Sequence, residues 1–268
     1  MILRVEKDKV WETADPVVRE APLTVYLNGR EFVTLLCTPE AMDMLAVGFL
    51  RSEGLIRDFS DVTSLRIDEE QGFVFVETQA GRLVEELYGK RTITTGCGKG
   101  TVFFSVLDAL KSEPVTSGVT ITVSQIHRLM RDLQERAVLF QLTGGIHSAA
   151  LCSPEGVVYF CEDIGRHNAV DKILGLCLRD GVAISDKILA TSGRISSEIL
   201  VKAAKLGLSV LVSRAAPTTL SIDLAERIGI TLVGFVRGQR LNIYSHARRV
   251  VLDDSMVWEA KGENDAHN

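Results

Sequence analysis

The chain has 268 residues, 46% of them hydrophobic and 24% charged, which is the balance of a soluble globular protein with a core of its own. A net charge of −5 gives no reason to expect nucleic acid as the main partner. No apolar signal region follows Met1, and no apolar run reaches the ~18 residues of a membrane span, so we expect a cytoplasmic protein without membrane contact.

The cysteines are odd in number, widely spaced and form no C-x-x-C pair. This pattern argues against a disulfide framework and against a zinc ribbon, and it fits a reducing compartment. We therefore expect free thiols and no metal site. The five cysteines are Cys37, Cys97, Cys152, Cys161 and Cys177.

The first half predicts a small α+β unit of four strands and one helix. Asn28-Gly29 is a strong hairpin signal and joins the first two strands. Thr38 is expected to cap the helix that follows, whose apolar positions begin at Met42. Alternating Phe and Val in the last strand predict burial of both its faces. The strands are predicted at 22–27, 31–37, 62–67 and 72–78.

A loop rich in glycine and threonine, residues 92–101, follows this unit and holds Cys97. Glycines permit unusual backbone angles, and function concentrates on surface loops. Lys99 is expected to favour the thiolate, which is the nucleophilic form of Cys97. Two interpretations stay open: a reactive cysteine on an exposed loop, or a flexible connector whose cysteine is incidental.

We predict a domain boundary at residue 118, in a segment with Pro114, Ser117 and Gly118. Residues 1–118 then form a small N-terminal α+β domain, which ends in the Cys97 loop and a helix at about 101–110.

Residues 119–268 form an α/β domain in which helices separate most strands. Its helices are predicted at 124–137, capped by Ser124, and at 168–178, 195–206 and 217–228. Its strands are predicted at 147–152, 157–161, 187–191, 209–212, 230–236 and 241–244. This alternation predicts β-α-β units and a mostly parallel sheet.

Arginines gather where the strands of this sheet end and the helices begin, which is where ligands bind such sheets. Guanidinium groups match phosphate oxygens, and helix N-termini add free N–H groups. We therefore predict a phosphate-bearing ligand at these junctions. The arginines are Arg166, Arg194, Arg214, Arg237 and Arg240.

Each junction residue also has a structural interpretation. Glycine and serine at helix starts are ordinary caps, and Asp163 with Arg166 could form an ion pair. His147 or His167, taken alone, is more often structural than catalytic. Missing motifs exclude two chemistries: a zinc deaminase needs H-x-E and P-C-x-x-C, and a Walker loop needs G-x-x-x-x-G-K-[ST].

Four polar runs stand out in the second half: 143–150 (T-G-G-I-H-S-A-A), 162–172 (E-D-I-G-R-H-N-A-V-D-K), 192–198 (S-G-R-I-S-S-E) and 213–218 (S-R-A-A-P-T). Together they closely resemble the formate dehydrogenase accessory sulfurtransferase family, FdhD/NarQ. The run at 162–172 is long and specific, and the resemblance extends from about Pro22 to Tyr244.

The resemblance implies a cytidine-deaminase-like, three-layer α/β domain without the zinc, a small N-terminal domain, and a homodimer. It implies a sulfurtransferase that accepts sulfur from a cysteine desulfurase as a persulfide. The sulfur then passes to the molybdenum cofactor in its bis-guanine-dinucleotide form, before that cofactor enters formate dehydrogenase.

By position, Cys97 matches the family's persulfide cysteine. The segment Phe235, Val236, Arg237, Gly238, Gln239 and Arg240 matches the one associated with cofactor binding, and we add Arg166, His167, Arg194 and Arg214 as predicted cofactor-binding residues. The chain departs from the family at the loop, because many members have C-G-x-C-G there and this chain keeps one cysteine. Carriage of a persulfide needs only one sulfur nucleophile.

Two other functions fit the same residues. One is a non-catalytic chaperone that binds the cofactor or the apo-dehydrogenase, with Cys97 inert. The other is a nucleotide-binding hydrolase, for which no general base or metal site is evident in the sequence. A sulfur adduct on Cys97 separates the first from sulfur carriage, and turnover of a guanine nucleotide would support the second.

Overall fold

The computed structural model describes residues 1–79, 115 and 118–257. The helices within these residues are α1 (Met42–Ser52), α2 (Val123–Arg136), α3 (Val138–Thr143), α4 (Arg166–Arg179), α5 (Ser197–Lys205) and α6 (Thr219–Ile228). The strands are β1 (Ile2–Glu6), β2 (Lys9–Thr13), β3 (Ala21–Leu27), β4 (Arg30–Cys37), β5 (Val62–Asp68), β6 (Phe73–Thr78), β7 (Ile121–Thr122), β8 (His147–Ser153), β9 (Gly156–Asp163), β10 (Ile188–Thr191), β11 (Val210–Ser213), β12 (Thr231–Arg237), β13 (Arg240–Ser245) and β14 (Val250–Val251).

Six of the described strands form the central sheet, in the order β13-β12-β11-β10-β8-β9. Strands β10, β11 and β12 pair in parallel, whereas β8 with β9, β8 with β10, and β12 with β13 are antiparallel. The sheet is therefore mixed, and the prediction of a mostly parallel sheet was wrong. The reason is that β8 with β9 and β12 with β13 are joined by short turns, which only antiparallel neighbours allow.

The central sheet is covered on both faces, which makes three layers. Residues of α4, α5 and α6 pack on one face, against Leu151, Leu189, Leu211 and Leu232. Helix α2 packs on the other face through its buried residues Ile126, Leu129, Met130 and Leu133. Alternation of side chains along each strand divides them between these two cores. The cytidine-deaminase-like description of this domain stays a prediction.

The N-terminal unit is a four-stranded sheet, ordered β4-β3-β6-β5, with α1 against it. Asn28 and Gly29 both have positive φ, 50° and 73°, which confirms the predicted hairpin turn. Val74 and Val76 of β6 are fully buried, but Phe73 and Phe75 on its other face are only half-buried. Burial of both faces was therefore a wrong prediction.

Helices α1 and α4 join this unit to the central domain, and two glycines lie where they cross. A β-carbon added at Gly48 would overlap the carbonyl oxygen of Asp171, and one at Gly175 would overlap that of Met44. The two backbones are therefore in direct contact, which only glycine permits at these positions.

Two predicted helix caps were wrong. Helix α1 begins after Ala41, which has a positive φ of 50°, while Thr38 bonds to distant residues of the central domain. Helix α2 is capped by Thr122, whose side chain accepts a hydrogen bond from the backbone N–H of Gln125, and not by Ser124. Ser124 instead donates to the carboxylate of Asp253 at 2.8 Å.

No helix within the described ranges is long and apolar enough to cross a membrane. The Cys97 loop and the predicted helix at about 101–110 lie outside the described residues. The division into domains at residue 118 stays a prediction.

Candidate phosphate-binding site at the strand ends

The carboxyl ends of β10, β11 and β12 meet at one edge of the central sheet, and hydrogen bonds tie together the loops that follow them. The backbone N–H of Arg214 donates to the carbonyl of Thr191 at 3.1 Å, and that of Phe235 donates to Ala215 at 3.2 Å. Nε of Arg237 donates to the carbonyl of Arg214 at 3.1 Å. The predicted strand-end residues from these three loops are therefore adjacent.

Four exposed arginines surround this edge: Arg194, Arg214, Arg237 and Arg240, which we call the arginine rim. Among the described residues, none of the four forms an ion pair with a carboxylate. The net charge of the chain is −5, yet these four exposed guanidinium groups lie close together and repel one another in the absence of a negatively charged ligand. This is the arrangement that binds phosphate groups.

Phe235 organises one side of the rim. It has a φ of 53°, an unusual angle for a bulky residue, at an irregularity in the pairing of β12 with β13. The guanidinium carbons of Arg237 and Arg240 lie 5.6 Å and 6.0 Å from the centre of its ring. Both distances allow cation–π attraction, which holds the two arginines together.

The rest of the predicted segment is divided between the core and the surface. Val236 is 2% exposed and packs against the face covered by α2, so only its backbone can reach a ligand. Gly238 has a φ of 56° in the turn between β12 and β13, and Gln239 is exposed beside it. The structure therefore brings Phe235, Arg237 and Arg240 to the rim, with Gly238 and Gln239 at its margin.

Arg166 is the first residue of α4 and lies beside the rim. The alternative interpretation, an ion pair with Asp163, is wrong, because Asp163 instead pairs with Lys172 at 2.7 Å in a fully buried position. Asp163 also accepts hydrogen bonds from the backbone of Gly165 and the side chain of Asn168. Arg166 has no carboxylate partner in the described part of the chain.

His167 faces the start of α5. Its Nε2 atom lies 3.3 Å from Oγ of Ser196 and 3.4 Å from a carboxylate oxygen of Glu198. Burial, followed by the charges of Lys202 and Arg166, lowers the pKa of His167 to about 3. The ring is therefore neutral near pH 7. Its Nε2 atom is directed at α5, and its role in cofactor binding stays a prediction.

The cysteines of the described residues are poor nucleophiles. Cys37, Cys152, Cys161 and Cys177 are all buried and free. Burial raises the pKa of Cys161 to about 11 and that of Cys37, Cys152 and Cys177 to about 12. These thiols stay protonated at neutral pH, and protonated thiols do not attack.

The comparisons with known proteins agree on one family. The FdhD/NarQ family profile matches residues 18–251. The chain belongs to the FdhD/NarQ family. It is 47% identical over 252 residues to the sulfur carrier protein FdhD of Geobacillus kaustophilus, covering 94% of this chain and 96% of that one. It is 45% identical to the sulfur carrier protein FdhD of Bacillus subtilis over 250 residues, covering 93% and 95%.

A solved structure is also similar to this chain over nearly its whole length. A formate dehydrogenase accessory protein from Desulfotalea psychrophila is 25% identical and superposes with a TM-score of 0.77, covering 93% of this chain and 97% of that one. The family resemblance predicted from the four polar runs is therefore confirmed.

Two residues beside the arginine rim were not predicted as site residues from the sequence. His147 was treated as one more structural histidine, and Gly193 as an ordinary residue of a helix start. The structure places Gly193 against the side chains of both Arg166 and His147. The signal for them was their position inside the runs 143–150 and 192–198, rather than any property of the residue types.

Proposed function

We propose that this chain is a sulfur carrier, which takes sulfur from a cysteine desulfurase as a persulfide on Cys97. It passes that sulfur to the molybdenum cofactor, in its bis-guanine-dinucleotide form, for formate dehydrogenase. The observation that carries the proposal is the state of the other cysteines: all four are buried with raised thiol pKa values. Cys97 is the cysteine left for the role that the name of the relatives describes.

Loading Cys97 exchanges one sulfur–sulfur bond for another. The Cys97 thiolate attacks the outer sulfur of the desulfurase persulfide, a new bond forms between the two sulfurs, and the desulfurase cysteine leaves as a thiolate. No net oxidation occurs. In the release step the cofactor donates an electron pair to the outer sulfur and a bond forms between them, while the sulfur–sulfur bond breaks and Cys97 leaves as a thiolate.

The arginine rim is the surface that we propose for the cofactor as substrate. The guanine dinucleotide groups of the cofactor contain phosphates. Unpaired arginines at strand ends match these phosphates in charge and geometry. The structure leaves these arginines without carboxylate partners among the described residues, so their charge is available for a ligand. We further propose that the chain acts in the cytoplasm as a homodimer with formate dehydrogenase as its client.

The test is mass spectrometry of the protein after incubation with a cysteine desulfurase and cysteine. We expect the mass of one extra sulfur atom, located on Cys97 by peptide analysis. Cys97→Ala should take up none, whereas Cys161→Ala, a matched change at a buried thiol, should load normally. Cys97→Ala should also fail to restore formate dehydrogenase activity in a deletion strain.

The chaperone interpretation predicts the opposite result. Under it, Cys97 stays unmodified, and Cys97→Ala restores full dehydrogenase activity. That pair of outcomes would refute sulfur carriage while leaving the cofactor-binding surface intact.

The presence of a single cysteine in the loop also affects how long the persulfide on Cys97 lasts. With no neighbouring cysteine in that loop to attack it, the persulfide should persist until an acceptor arrives. After donor removal, non-reducing electrophoresis should show a monomer that keeps its extra sulfur. A Cys97–Cys97 crosslink that appears as the sulfur is lost would show instead that two subunits resolve the persulfide together.

A further inference from the structure

A cavity of about 600 Å³ lies at the edge of the central sheet opposite to the arginine rim. Its walls are the end of α6, the segment 118–120 that leads into β7, and the turn 246–249 that follows β13. Strand β12 runs from this edge to the rim, and its seven residues, at about 3.3 Å each, separate the two by roughly 20 Å. A cavity of this volume suits a small organic ligand.

Positive charge dominates this cavity. We call it the arginine cavity and define it by Arg227, Arg248 and Arg249. Among the described residues that line it, Glu226 is the one acidic side chain. Neither Arg227 nor Arg248 forms an ion pair with a carboxylate in the described ranges. Three guanidinium groups around one concave space, on a chain of net charge −5, favour an anionic ligand.

Part of this positive charge has a structural role. A helix C-terminus carries partial negative charge, and Arg227 lies in the last turn of α6. Nε2 of His246, a further residue of the cavity wall, donates to the carbonyl of Glu226 at 2.9 Å and lies 3.5 Å from its carboxylate. The end of α6 therefore accounts for Arg227 and His246, but not for Arg248 or Arg249.

Arg249 gives the cavity a fixed positive wall. Its side chain is buried, and its guanidinium donates to Oγ1 of Thr231 at 3.3 Å and to the carbonyl of Val115 at 3.0 Å. Burial lowers the pKa of Arg249, and the charge of the neighbouring Arg248 lowers it further. An anion bound beside the two arginines would oppose this second effect, because negative charge stabilises a guanidinium ion.

Backbone contacts hold the walls of the cavity together. His246 has a φ of 44°, which is uncommon for a residue other than glycine, and its carbonyl accepts a hydrogen bond from Oγ1 of Thr231 at 2.8 Å. The backbone N–H of Val115 donates to the carbonyl of Ile228 at the end of α6, also at 2.8 Å. The concave shape is therefore part of the fold.

We propose that the arginine cavity binds a small organic polyanion, which carries two or more carboxylate or phosphate groups. Arg248 and Arg249 contact one anionic group, and Arg227 contacts another from the end of α6. Val115 and Val119 add apolar surface for the carbon skeleton of the ligand. This site is separate from the arginine rim, and it depends neither on sulfur carriage nor on the cofactor surface proposed above.

The experiment is calorimetric titration of the full chain with citrate and with inorganic tripolyphosphate, at low and high salt. The two probes distinguish a carboxylate ligand from a phosphate ligand. The test variants are Arg227→Gln, Arg248→Gln and their combination. Arg179→Gln is the matched control, because Arg179 lies on α4 and is paired with Asp180. All titrations are repeated in the rim variant Arg237→Ala/Arg240→Ala, which removes binding at the other edge of the sheet.

A second pair of variants tests the space rather than the charge. Gly118→Trp adds a bulky side chain to the cavity wall, at a position where nothing lies within 4 Å of a β-carbon. Gly156→Trp, in the turn between β8 and β9, is its matched control, since a β-carbon there is equally free. Thermal melts check that each variant is folded.

We expect Arg227→Gln and Arg248→Gln each to weaken binding roughly tenfold, and the combination roughly a hundredfold, because each removes one charge-assisted contact. Affinity should fall as salt increases. Gly118→Trp should bind neither probe at this site, whereas Arg179→Gln and Gly156→Trp should match the wild type. The rim variant should keep this binding. A preference for citrate or for tripolyphosphate identifies the anionic group, and either preference supports the site.

Four results would overturn the proposal. The first is a wild type that binds neither probe, and the second is a folded Arg227→Gln/Arg248→Gln variant with unchanged affinity for both. If Gly118→Trp binds as the wild type does, the anion lies on the surface outside the cavity. If the rim variant loses all binding, the anion lies at the arginine rim instead.

Discussion

Nζ of Lys172 lies 2.7 Å from Oδ2 of Asp163, and the two side chains are 1% and 0% exposed. Thr38 completes the group: its hydroxyl and backbone N–H both lie 3.1 Å from Oδ2 of Asp163, and its hydroxyl accepts from Lys172 at 2.8 Å. This buried cluster joins the segment before α1 to β9 and α4. Part of the run 162–172, which carries the family resemblance, therefore fastens the N-terminal unit to the central domain.

Lys172→Met should strongly destabilise the protein. The change leaves the Asp163 carboxylate buried without its counter-charge, and breaking a buried pair in this way costs about 3–5 kcal/mol. Urea unfolding followed by circular dichroism measures the loss. Lys187→Met is the control, because its partner Asp186 is 63% exposed and such pairs contribute at most ~1 kcal/mol. Equal effects in the two variants would contradict a special role for the buried cluster.

Gly48→Ala should separate α1 from α4. The added methyl group overlaps the backbone of Asp171, which cannot move as a flexible side chain would, and overpacking of this kind costs roughly 1–3 kcal/mol or more. Gly156→Ala is the matched control, since nothing lies within 4 Å of a β-carbon there. The urea concentration at the midpoint of unfolding, measured for both variants, gives the difference in stability. A Gly48→Ala midpoint equal to that of Gly156→Ala would show that the helix crossing adjusts freely.

Arg237→Ala and Arg240→Ala should each weaken guanine nucleotide binding. Each removes a charge-assisted contact of about 1.5–3 kcal/mol, hence roughly ten- to a hundredfold in affinity. Calorimetric titration with GDP at low and high salt measures this, and the salt dependence should decrease in both variants. Arg179→Ala serves as control, because that arginine is paired with Asp180 at the far end of α4. Unchanged binding in the double variant would move the site towards Arg166, Arg194 and Arg214.

His167 should make the folded state sensitive to acid. Its pKa is lowered to about 3 in the fold, against an ordinary value near 6.5 in the unfolded chain. Below that ordinary value the unfolded state binds the proton and the folded state does not, so this contribution to stability is present above about pH 6.5 and is lost as the pH falls towards 3. Between pH 7 and pH 5, the wild type should lose about 1–2 kcal/mol more unfolding free energy than His167→Gln.

Urea unfolding at both pH values provides the comparison, and each protein is compared with itself, so a constant cost of the substitution cancels. Glu198, whose pKa burial raises, acts in the opposite direction and is present in both proteins. Identical losses for wild type and His167→Gln would mean that the ring is protonated in the folded state, in an ion pair with Glu198 at 3.4 Å.

The sequence by itself determined the features that depend on neighbouring residues. Asn28-Gly29 specified a hairpin, because both positions need positive φ, and Gly229 ended α6 in the left-handed conformation for the same reason. Four helices described in the central domain, α2, α4, α5 and α6, were predicted from the sequence, whereas the short helix α3 was not. The arginines at strand ends and the family itself were also evident, since each is a matter of position along the chain.

The tertiary structure alone decided which polar residues are buried and which remain for a ligand. Thr38 has the form of a helix cap, yet it bonds to Asp163, 125 residues away. Asp163 pairs with Lys172 rather than Arg166, and that choice leaves Arg166 available beside His147. Such partnerships are set by the packing of α1 on α4 through Gly48 and Gly175, and local spacing carries no information on contacts at that separation.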